Sequence, residues 1–194
     1  ANMPEGPVGP GTYALSAPNA GRAVAEPVTF EVSGALFTSG TNVISAEVHS
    51  GYRSTPSHSF ELSALITPGT QPEPPEEPAD PENPAEDGPD LDLVPAGGEW
   101  AYSFGAEAPG QGWQEVAFDD GAWPVGLAPL GWGHAGLGTV LERPSVVPLA
   151  SYYRRVVEIE DASVVEAVTL TTRADDGVVV YVKGVEVGRA NMPE

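Results

Sequence analysis

The stretch TPGTQPEPPEEPADPENPAEDGPD, Thr67 to Asp90, sets the strongest limit on what this chain can fold into. Proline has no backbone N–H to give to a ladder and its φ is fixed, so a run this rich in it is neither central strand nor helix. The carboxylates between the prolines repel one another and extend the backbone further. The expected form is polyproline-II-like, rising about 3.1 Å per residue and spanning on the order of 70 Å. A loose tether and a stiff strut docking on neighbouring domains are both open readings. The run divides the chain into residues 1–66, a linker over 67–94, and residues 95–194.

The 194 residues allow one domain or at most two, enough to bury a sizeable core. Val, Leu, Ile and aromatic residues are abundant outside the linker, so the chain is globular with a biased insert. Twenty-eight acidic residues against eight Lys and Arg give a formal charge of -20. Affinity for nucleic acids and anionic lipids comes from clustered basic residues, so neither is an expected partner. The same charge favours divalent cations, and Ca²⁺ is the one cofactor it suggests. The absence of cysteine removes disulfides, thiolate catalysis and Cys-zinc sites. No apolar run approaches the roughly 20 residues needed to cross a bilayer, so no membrane insertion is expected in this segment. Any secretion signal is expected to lie outside it.

On both sides of the linker the apolar residues alternate with a period of two, the mark of strands. The runs are VTFEVS from Val28, TNVISAEVHS from Thr41, HSFELSALI from His58, SYYRRVVEIE from Ser151, VVEAVTLTTR from Val164 and VVVYVKGVEVGR from Val178. Lys183-Gly184 reads as a two-residue hairpin turn, and GALFTSG from Gly34 as a single turn before the next strand. The expected class is all-β.

The pentapeptide ANMPE occurs twice, at Ala1 to Glu5 and at Ala190 to Glu194, 189 residues apart. That identity is expected of a periodic polymer, with Gly6 following Glu194 in the next copy.

A set of motifs in the second half carries a resemblance: WAYSFG from Trp100, GQGW ending at Trp113, FDDGAW from Phe118, APLGWG from Ala128, YYRR from Tyr152 and DDGVVVYVKGVEVGRANMP from Asp175. Together they resemble the galactose-binding-like jelly-roll domains of secreted bacterial proteins. The first half, with TNVISAEVHS and SFELSAL, looks like the carboxy-terminal part of that same domain, so the order is permuted. The resemblance implies a jelly-roll β-sandwich at the cell surface or outside the cell. It also implies that residues 1–66 are the closing half of one sandwich, and that residues 95–194 are an opening half completed by the next copy. Lys183 stands where that family commonly has Asn, and His58 where it has an acid.

Asp119-Asp120 and Asp175-Asp176 are paired carboxylates beside glycine. They are hard oxygen ligands of the kind Ca²⁺ takes, or turn-formers accepting backbone N–H bonds. Adjacent carboxylates diverge in a turn, so they do not make the facing pair that glycoside hydrolysis needs. Trp100, Trp113, Trp123 and Trp132 lie in the resembling motifs; Trp123 and Trp132 are candidate platforms for a sugar ring, with packing at the ends of the sandwich as the other reading. His49, His58 and His134 lack metal-binding spacing, and no nucleophile elbow occurs. The chain is therefore not expected to be an enzyme and no residue is assigned a catalytic role. The expected function is structural: β-sandwich beads joined by acidic struts in a secreted or cell-surface fibre. The expected partners are copies of itself, in a tandem chain or by exchange of half-domains. The alternative is a carbohydrate-binding module with glycans as ligands.

Overall fold

The computed structural model describes residues 8–17, 26–69, 92–105 and 107–193. The first ANMPE and residues 70–91 of the linker lie outside the described residues. In chain order the strands are β1 (Val28–Ser33), β2 (Gly40–His49), β3 (His58–Pro68), β4 (Asp92–Val94), β5 (Glu99–Ser103) and β6 (Val125–Leu127). They continue with β7 (Leu130–Trp132), β8 (Thr139–Val140), β9 (Ala150–Ile159), β10 (Val165–Asp175), β11 (Gly177–Val182) and β12 (Val185–Ala190). Among the described residues no helix reaches seven residues, and two sheets pack together as an all-β sandwich.

The first sheet runs β1-β10-β3-β7-β8, with β4 on the edge of β3 that β7 also uses. The second runs β12-β11-β2-β9-β5-β6. All these pairings are antiparallel except β7 with β8. The core between the sheets is an aromatic stack set in aliphatic residues. Phe60 of β3 lies 4.0 Å from Tyr153 of β9 and meets Trp100 of β5 edge-on at 5.1 Å. Such pairs add about 1 kcal/mol each to the burial of their area.

The pairing pattern decides how the halves relate. β1 pairs with β10, β2 lies between β11 and β9, and β3 pairs with β10, β7 and β4. None of the three first-half strands pairs with another first-half strand. A strand without neighbours leaves its N–H and C=O groups unsatisfied, so residues 1–66 have no sheet of their own to form. The pairing that the sequence reading gave to a neighbouring copy is made here within one chain.

The long strands fall where the alternation puts them. The turn at Gly34–Leu36 is a single turn of 3-10 helix capped by the Ser33 side chain, which accepts from the Ala35 N–H. At the β11–β12 hairpin both Lys183 (φ 49°) and Gly184 (φ 82°) are left-handed, the twist that matches a two-residue turn to its strands. The linker boundaries differ from the expected 67–94. β3 runs on to Pro68, and Asp92–Val94 forms β4 with Val94 fully buried in the core. Asp-Leu-Val alternates in the strand manner, and the neighbouring acidic run masks it in the sequence.

Candidate functional site

The middle of the second sheet, β11 and β2 with the first half of β9, is covered on both faces. In β9, alternation sends Tyr153 into the inter-sheet core and puts Ala150 and Tyr152 on the outer face, in a second apolar cluster with Ala14, Trp113, Val179, Tyr181 and Met192. That outer face is closed by the β5–β6 connection and by residues 8–17. Burial on both sides explains why β2 is buried from Asn42 through His49, without the in–out alternation of a half-exposed strand.

Arg154, the next outward-facing residue of β9, holds the β5–β6 connection in place. Its Nε donates to Asp120 at 2.8 Å, and its remaining N–H groups reach the carbonyls of Trp113, Glu115 (3.0 Å) and Phe118 (3.4 Å). Guanidinium suits this work because its five donors form a rigid fork that satisfies several acceptors at once. The loop so fixed places Trp113 edge-on to Tyr152 (5.0 Å) and Tyr181 (5.7 Å).

Beneath this loop lies a pocket of about 310 Å³. That is at the small end of ligand sites, which span about 300–1,000 Å³. Glu47 and Tyr152 line it from the sheet, and Val8 to Pro10 with residues 108–114, Trp113 among them, line it from the covering segments. Glu47 is 4% exposed and faces Tyr152 across the β2–β9 ladder. Its carboxylate accepts a 2.6 Å hydrogen bond from the Tyr181 hydroxyl. Burial first, and then the charge of Glu47, push both the Tyr152 and Tyr181 phenols well above their ordinary range, so both stay protonated. The Tyr152 hydroxyl is buried and makes no hydrogen bond among the described residues. A smaller recess of about 130 Å³, with Arg53 and Glu107 in its lining, abuts Tyr152 as well.

The residues singled out in the sequence go elsewhere. Asp120 is paired with Arg154, and Asp119 accepts from the Gly121 N–H at 3.0 Å, a turn contact. At the β10–β11 connection one oxygen of Asp175 accepts from Ser57 (2.7 Å) and His134 (3.0 Å). Asp176 accepts from the Gly51 N–H at 2.5 Å. Among the described residues no three His, Asp or Glu side chains are grouped to hold a metal ion. Trp132 is 5% exposed and stacks on His58 at 4.7 Å, inside the core. Trp123 is half-buried and edge-on to Phe118 at 5.8 Å. Trp113 is the one tryptophan of the four that lines the pocket described above. Glu47, Tyr152 and Tyr181 were not singled out as site residues. Their only signal was polar residues on the second face of strands otherwise read as buried, and the loop that covers them has no periodicity to announce it.

No protein-family model matches the chain, and no curated protein or solved structure matches it.

Proposed function

We propose that this chain is a structural unit of a secreted or cell-surface fibre or stalk, a galactose-binding-like sandwich in permuted order whose two halves pair within one chain or with those of a neighbouring copy. What supports the reading is that the strands of the first half pair with later strands and never with one another, while the linker joins two strands that already lie side by side. The same closure within one chain equally supports the second reading, a permuted solitary lectin-like domain. Leu65 of β3 is the register partner of Asp92 of β4, so the chain leaves and re-enters the sandwich at one place. A closing half from a second copy would make the same ladders in the same register, and only the path of the linker would differ.

The closing ANMPE adds support. Asn191 takes a left-handed φ of 54°, its side chain donates to the Ser16 carbonyl (2.8 Å) and accepts from the Ser16 hydroxyl (2.8 Å), and Met192 is buried in the outer cluster with Ala14. Asn191 and Met192 are a working part of the sandwich, which gives a reason for their motif to recur.

The test is refolding from denaturant across a range of protein concentrations, followed by mass measurement in solution. Exchange requires β1, β2 and β3 to be released together, so it must be set up during folding. The expected result is discrete species at multiples of 20.1 kDa that grow with concentration and persist on dilution. A single 20.1 kDa species at every concentration would sink the exchange reading.

A further inference from the structure

The outer-face pocket joins a buried carboxylate to aromatic rings without any basic residue in its lining. A carboxylate taken out of water needs a compensating charge or a full set of donors. Glu47 receives one good hydrogen bond, from Tyr181. His49 approaches it at 3.2 Å through Nε2, but without hydrogen-bond geometry. The other ring nitrogen of His49, Nδ1, lies 2.8 Å from the Thr12 carbonyl. The nearby guanidiniums are engaged or lie outside the pocket: Arg154 pairs with Asp120, Arg189 with Glu186 at 2.5 Å, and Arg53 lines the neighbouring recess.

We infer that this pocket binds a small protonated primary amine, with Glu47 as the counter-charge, the Tyr152 hydroxyl oxygen as a second acceptor and Trp113 as an apolar and π surface for the stem. Four features converge on that chemistry. The carboxylate supplies an opposite charge in a low-dielectric site, where it acts more strongly than at an exposed one. The Tyr152 oxygen has unused lone pairs, and an ammonium has three N–H donors to distribute. Aromatic side chains attract cations through the negative face of the ring. The charge of -20 draws cations toward the molecule and turns anions away. The volume limits the ligand to a head group with a short stem. This inference is independent of whether copies assemble, because Glu47, Trp113 and Tyr152 belong to one closed sandwich in either case.

The intact chain is titrated at neutral pH with n-butylammonium chloride, and the Trp113 indole N–H resonance is followed by NMR. Butan-1-ol, of the same stem but uncharged, and D-galactose are titrated in parallel. Saturable shifts with butylammonium are expected, at least tenfold tighter than with either neutral probe. Glu47→Gln, which keeps an acceptor for Tyr181, is expected to weaken the amine about tenfold or more, as charge-assisted hydrogen bonds do. Tyr152→Phe, which changes one atom and keeps the ring, is expected to weaken it about threefold to tenfold. The inference is overturned by galactose or butanol binding as tightly as the amine, by no saturation up to about 100 mM, or by unchanged affinity in Tyr152→Phe.

Discussion

At the scale of single residues, the carboxyl of Asp176 and the imidazole of His58 set opposed pH responses at one end of the sandwich. Asp176 is 6% exposed; burial first, and then hydrogen bonding to Asp175, raise its pKa from 3.8 to about 7. Around it stand Asp175, the Gly51 N–H and, through Asp175, Ser57 and His134. An acid with a raised folded pKa contributes its stability below the unfolded pKa, and that contribution is lost as pH climbs from about 4 through about 7. His58 is fully buried against Ser151 (2.8 Å) and Tyr153 (3.1 Å), and burial lowers its pKa from 6.5 to about 4. A base with a lowered folded pKa contributes its stability above the unfolded pKa and loses it as pH falls from about 6.5 through about 4. Between pH 4 and 6.5 the two slopes have opposite sign and flatten the native profile. Asp176→Asn keeps an acceptor for Gly51 and removes one slope. Its Tm is expected to climb with pH across this window more steeply than that of the native chain, and to exceed the native Tm above pH 7. Parallel Tm profiles for the two proteins would contradict the assignment.

At the scale of elements, the β11–β12 hairpin shows where a local rule is met at a cost. The turn requires left-handed φ at both central residues, and Lys183 carries a Cβ there while Gly184 does not. Its compensation is a 3.0 Å bond from the Lys183 ammonium to the Thr38 hydroxyl, exposed and therefore weak. Lys183→Asn is expected to stabilise the sandwich by about 0.5–1 kcal/mol, since Asn tolerates this conformation. Lys183→Val is expected to destabilise it by about 1–2 kcal/mol, because a β-branched residue tolerates it least. Thermal melts of the two variants should move to opposite sides of the native Tm. This hairpin was legible in the sequence, and so were all the strands of ten or eleven residues, because period-two alternation over that length has no competing explanation. The short strands β4 to β8 were not, since two to five residues carry too little pattern and β4 abuts an acidic run. The outer-face pocket was illegible for a different reason. It depends on Arg154 collecting carbonyls some 40 residues away in sequence, and backbone acceptors leave no trace in side-chain identity. The tryptophans illustrate the same limit: Trp132 and Trp113 sit in similar glycine-rich settings, yet one is core and the other lines the pocket.

For the whole molecule, the proposed exchange of halves sets closing the sandwich within one chain against closing it with another copy. The ladders are the same in both, so the balance rests on residues 70–91, which carry eight carboxylates and no basic residue. Their flanking strands β3 and β4 are neighbours. A flexible linker of this length has a typical span of roughly 25 Å and brings its ends together readily, giving an effective concentration in the millimolar range. A chain stretched by proline and charge toward roughly 70 Å disfavours adjacent ends and suits a reach to a second copy. Salt tunes that term, because the Debye length falls from about 30 Å at 0.01 M to about 3 Å at 1 M, which spans the spacing between successive carboxylates. The exchanged fraction after refolding is therefore expected to be highest at low ionic strength and to fall as salt is added. Replacing the acidic residues of 70–91 with glutamine and serine, with the prolines kept, should remove most of the salt dependence and leave only the stiffness that proline contributes. Light-scattering mass measurements on both proteins, refolded at the same concentration in 0.01 M and 0.5 M salt, separate the two terms. Exchange that ignores salt in the native chain would place control in the proline backbone alone. Exchange that rises with salt would move it to apolar contact between copies, and linker charge would then have no part in assembly.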